Sequence, residues 1–194
     1  MKPVHATTRG GGYWAKRGYL SRARRALELA NAQATRVQEL RSAAEDPASG
    51  KRSGRKVPLV EITDVHLYSE AATAFAAMSV EAFLNLYGVV RLGEDFYQRH
   101  YERLGLGAKV AALVATCMSR LVEKDDEILV VASRLYASRN SLVHPKAKEI
   151  TANRQNSDKS TPHERAAGSV EDAERFFALF VALDPDSETL VEGA

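Results

Sequence analysis

Arg139 and His144, close to the end of an apolar helical segment, have the types and spacing to do chemistry together. A helix is expected over Asp125 to Val143, with Ile128, Leu135 and Leu142 on one stripe and Val131 and Ala132 beside it. Arg139 comes eleven residues after Ile128, which at roughly 100° per residue returns it to nearly the same face. A cation therefore stands where the pattern calls for an aliphatic residue, and burying it is costly unless it is paired or reaches water. One account pairs it with a carboxylate across the bundle, Glu81 being the obvious partner. The other turns it toward a cleft, where its planar fork can hold a phosphate. His144 lies five residues further on, about 140° around an ideal helix. Pro145 forces the preceding residue out of helical geometry, which lets His144 turn back toward Arg139. At neutral pH a histidine serves as general base or acid.

Glu81 is the second anomaly. It is the single charge between Ala71 and Val90, one turn before Asn85, on a track with the small residues Ala74 and Ala77. It could fix the register of two helices through a hydrogen bond or ion pair, or it could belong to a site.

The elements that must position these groups are all helical. Tyr19 to Ala44 lacks Gly and Pro and is rich in good helix formers. Asp46 to Gly50 breaks it, and Lys51 to Lys56 reads as a basic linker. The central helix begins near Pro58, with Glu61 and Asp64 close to its positive end. Two interleaved apolar seams run through it to Val90, so it must be covered on most sides, by a bundle or by a second subunit. Short helices are expected over Glu94 to Leu104 and Ala108 to Val122. Thr151 to Ser169 reads as a mobile polar loop, and Val170 to Leu183 as a last helix with Phe176, Phe177, Phe180 and Val181 on its apolar face. The expected organisation is a basic tail, helix and linker over 1–57, a core over 58–150, the loop 151–169, and a C-terminal helix and tail over 170–194. The fold class is all-α: four to five main helices, an extra N-terminal helix, and a two-fold dimer.

Charge is unevenly spread. Residues 1–57 hold thirteen Lys/Arg against four Asp/Glu, a balance of +9, while the rest of the chain carries −7. A basic arm on an acidic body suits contact with a polyanion such as RNA, or simply solvates a helix and linker. One cysteine, Cys117, excludes an internal disulfide framework and multi-cysteine zinc sites, which fits a reducing cytoplasm. Ala71 to Val90 has the length of a membrane span, but its small polar residues and central Glu81 oppose insertion, so no membrane is expected. There is no P-loop, no dinucleotide fingerprint and no metal-ligand spacing, so neither cofactor nor metal is expected.

The stretch Arg139-Asn140-Ser141-Leu142-Val143-His144 resembles the R-x(4–6)-H motif of the HEPN superfamily, including the polar residue directly after the arginine. Ser79-Val80-Glu81-Ala82-Phe83-Leu84-Asn85 resembles the long-helix segment that precedes that motif in many members. The resemblance covers roughly residues 59–150. It implies a helical bundle paired about a two-fold axis, with the motifs of both subunits at one cleft where many members cleave RNA without a metal. Arg139, Asn140 and His144 take the family's catalytic positions, with Glu81 and Asn85 in support. The implied activity is a metal-independent endoribonuclease, a toxin or phage-defence effector in the cytoplasm, restrained by an antitoxin or regulatory protein. The alternative within the family is a catalytically silent module that binds RNA, a nucleotide or a partner protein. Outside it stands a plain structural bundle in which Arg139 and Glu81 form a buried ion pair.

Overall fold

In the computed structural model, which describes residues 11–43, 58–143, 160–188 and 190, six α-helices and no strand are present among the described residues. They are α1 (Gly11–Ala43), α2 (Leu59–Leu92), α3 (Glu94–His100), α4 (Leu106–Met118), α5 (Glu127–Val143) and α6 (Pro162–Leu183), followed by a 3-10 turn at Pro185–Ser187. The chain is all-α. The expected tail over 1–10, the basic linker within 44–57 and residues 144–159 lie outside the described residues.

Helix α2 is the axis of the fold. Its sequence has no proline, and its 34 residues run unbroken to Gly93, whose positive φ of 83° turns the chain sharply into α3. By length and composition α2 could cross a membrane. In the bundle, thirteen of its residues are buried, and α1, α3, α4, α5 and α6 all pack against it. The apolar surplus expected around Ala71 to Val90 is therefore covered by the chain's own helices.

Helix α1 starts at Gly11, ahead of the expected Tyr19, and lies along α2 and α6. Its buried side chains Ala26, Ala30 and Val37 are small, and Ala26 meets Ala72 of α2 and Ala166 of α6. Three alanines at one crossing let the helix axes approach closely. Gln33 donates from Nε2 to Asp64 Oδ2 at 3.2 Å, and Arg24 pairs with Glu174 of α6 at 2.8 Å. Some of the basic charge of this segment is thus paired with an acid of the same chain, on the bundle surface.

Helix α6 begins at Pro162, eight residues before the expected Val170 and inside the polar stretch expected to be a loop. The cause is a capping box. The Thr161 hydroxyl accepts from the Glu164 backbone N–H, and the Thr161 N–H donates to Glu164 Oε2 at 2.6 Å, with Pro162 in the first turn. From there α6 sends Phe177 and Phe180 against Phe83 and Tyr87 of α2, with Phe176 packed beside them. The rings of Phe83 and Phe180 meet edge to face at 5.0 Å, and those of Tyr87 and Phe180 at 4.9 Å. On the surface, Arg134 pairs with Asp172 and Arg175 with Glu127, joining α5 to α6. Exposed pairs of this kind contribute little, and the buried aromatic seam is what anchors α6 on α2.

Asp184, just past α6, accepts from the Tyr87 hydroxyl and from Arg91, each at 2.7 Å. Burial, and then the bond to Asp184 and its charge, push the Tyr87 phenol well above its ordinary value of 10.0. The folded protein holds this proton after the unfolded chain has released it, so stability falls as pH rises past 10.0. We expect thermal melts between about pH 9 and about pH 11 to show this loss, and Tyr87→Phe to make its slope shallower. An unchanged slope in that variant would refute the assignment.

Candidate functional site

Arg139 and Glu81 line the same pocket. Arg139 follows the buried residues Ile128, Val131, Ala132 and Leu135 of α5, but it is only half-buried, where their stripe reaches the pocket. Glu81 extends from α2 one turn after Ala77, whose small side chain leaves room beside it. The pocket has a volume of about 240 Å³ and is closed by Glu102 to Leu106 of the α3–α4 turn, by Lys109 of α4 and by Tyr136 of α5. Among the described residues, neither the Arg139 nor the Glu81 side chain makes a hydrogen bond or an ion pair. The sequence left open an ion pair between them; the helices bring the two to one pocket without that bond.

Lys109 was missed by the sequence reading. It occupies the buried stripe of α4 among Leu106, Val110, Leu113 and Val114, and is 1% exposed. Its Nζ donates to Asn85 Oδ1 at 2.7 Å and lies 5.9 Å from the centre of the Tyr97 ring. Burial pulls the ammonium below its ordinary value, and the charges of Glu81 and Glu102 partly restore it. The signal that singles out Arg139 was available here too: Lys109 is the one charge in α4, on its apolar face.

Asn85, expected in support of the site, lies beneath the pocket and binds two of its neighbours. Its Oδ1 accepts from Lys109 and, at 2.6 Å, from the Tyr97 hydroxyl. Tyr97 reaches this position because residue 88 is glycine. A Cβ at Gly88 would collide with the Tyr97 ring and press on Leu113. Burial, and then the charges of Glu102 and Glu81, keep the Tyr97 phenol protonated well above its usual range. Gly88, Tyr97, Asn85 and Lys109 thus form one connected platform under the pocket.

Asn140 is half-buried and does not line this pocket; one residue on from Arg139, it projects about 100° away. His144 lies outside the described residues. A second, smaller pocket of about 120 Å³ sits where α5 ends and α6 begins, lined by Ser138, Ser141 and Leu142 on one side and Pro162 and Arg165 on the other. It also receives His66 and Glu70 of α2.

The platform makes an unusual forecast for Gly88→Ala. Gly to Ala in a helix ordinarily stabilises, by about 1 kcal/mol. Here the added methyl should displace Tyr97 and cost about 1–3 kcal/mol, with a changed near-UV circular dichroism signal. A variant more stable than wild type would disprove the close approach. No family model matches this chain, and no curated protein or solved structure matches it either.

Proposed function

We propose that this protein is a metal-independent endoribonuclease of the HEPN type, with Arg139 as the phosphate clamp and His144 as general base or acid. The observation that carries the reading is an arginine on an apolar stripe that opens to a polar pocket, with no carboxylate bonded to it among the described residues. Its guanidinium donors remain available for a ligand's oxygens. The lining holds three cations, Arg103, Lys109 and Arg139, against Glu81 and Glu102, a balance that favours one added negative charge.

In the reaction, the ribose 2′-oxygen attacks phosphorus as a base removes its proton, and the bond to the 5′-oxygen breaks as an acid returns one. The products are a 2′,3′-cyclic phosphate and a free 5′-hydroxyl. Arg139 offsets charge on the crowded phosphorane, and Asn140 orients the substrate or the histidine. A two-fold dimer would supply a second Arg139/His144 pair for the complementary proton transfer. Because α2 is already covered within the chain, the contact is expected at the end of α5. An antitoxin or regulatory protein would restrain the activity.

The alternative is a silent module that binds RNA, a nucleotide or a partner protein. It is favoured by Glu81 and Glu102, which keep the pocket only mildly cationic. Gel assays on RNA separate the two. We expect cleavage by the wild type that persists in EDTA, and its loss in Arg139→Ala and in His144→Ala. If both groups act in one transition state, the double variant should be little worse than either single one. RNA that is bound but left intact by the wild type would select the silent module. In light scattering at micromolar concentration the protein should run as a dimer; a monomer there removes the shared-cleft arrangement.

A further inference from the structure

We propose that the pocket between α2, the α3–α4 turn and α5 binds a phosphodiester within a single subunit, and that Lys109 is its buried anchor beside Arg139. The proposal rests on the reading of Arg139 as a phosphate clamp, and adds to it a residue and a ligand charge.

Lys109 is a poor choice for a purely structural cation. An ammonium has three donors, and this one, 1% exposed, has a single acceptor among the described residues. That acceptor is a neutral amide oxygen already shared with the Tyr97 hydroxyl. No carboxylate bonds to the ammonium among the described residues, although Glu81 and Glu102 are near enough to raise its pKa. Buried cations are normally paired and fully hydrogen-bonded. Two unspent donors at the wall of a pocket call for an acceptor that comes from outside.

Charge selects the ligand. Lys109, Arg103 and Arg139 exceed Glu81 and Glu102 by one positive charge. A phosphodiester, with one negative charge, neutralises that excess. A phosphomonoester, approaching two, would leave a net negative charge against the same carboxylates. Glu81 also offers an acceptor for a hydroxyl adjacent to the phosphate, as on a ribose. The flexible lysine supplies a point charge and the arginine a planar fork, a pairing suited to the tetrahedral face of a phosphate.

The probe is a dinucleoside phosphate without a 2′-hydroxyl, which cannot be cleaved by internal attack, titrated by calorimetry into the full chain, with acetate in a second arm. The wild type should bind the diester saturably in the millimolar range or tighter. Lys109→Met, near in shape and uncharged, should weaken binding by about tenfold or more, as should Arg139→Met. In case Lys109→Met fails to fold, Glu81→Gln provides a second reading. Without a 2′-hydroxyl beside the phosphate for it to accept, Glu81 chiefly repels the anion, so its neutralisation should tighten binding severalfold. Three results would overturn the proposal: no diester binding by the wild type, folded Lys109→Met binding as the wild type does, or Glu81→Gln binding no better. Acetate binding as tightly as the diester would equally overturn it, by showing a general carboxylate site. Diester binding without any RNA cleavage would support this site and end the nuclease reading. Cleavage that depends on Arg139, with diester affinity indifferent to Lys109, would do the reverse.

Discussion

A helix that is apolar around most of its circumference has to be covered on most sides, and α2 imposes that demand on everything else. Five helices satisfy it, three of them by distinct chemistries. Helix α1 lies close through alanines, α6 interlocks aromatic rings, and α3 approaches over a glycine. The polar residues of α2 follow from the same demand. Glu81 and Asn85 sit where α3, α4 and α5 meet it, and there the packing is completed by a lysine, a tyrosine hydroxyl and an open pocket instead of aliphatic side chains. The candidate site is a part of the α2 surface that is not sealed with hydrocarbon.

Much of this was legible from residue types. The 3.6-residue period located α2 and α5, because long regular stripes dominate local noise. It also marked Arg139 and Glu81 as misfits, and the two line one pocket. What escaped reading depended on partners distant in sequence or on short capping signals. Nothing local says that Gly88 exists to admit Tyr97. Thr161-Pro162-His163-Glu164 is a complete helix start, hidden in a stretch whose polar composition suggested a loop. Lys109 was passed over because one lysine among apolar residues reads as a solvated tip, whereas its neighbours leave it almost no solvent. Asn85 was expected in support of the site, but that its acceptor oxygen serves two donors, from α3 and α4, could not be read from its own stretch of sequence.

The distinction between Arg139 and Lys109 matters for how the pocket is built. Lys109 is fixed from below by Asn85 and Tyr97, while Arg139 reaches the pocket from α5 without a bonded partner among the described residues. One cation is rigid and desolvated, the other adaptable. A ligand meeting both finds one charge already in place and loses entropy mainly in ordering the second.

A single extra residue in α2 ahead of Glu81 would rotate every following side chain by about 100°, carrying Glu81 and Asn85 away from the helices that meet them there. Sequence variation therefore has no outlet along the helix that carries Glu81.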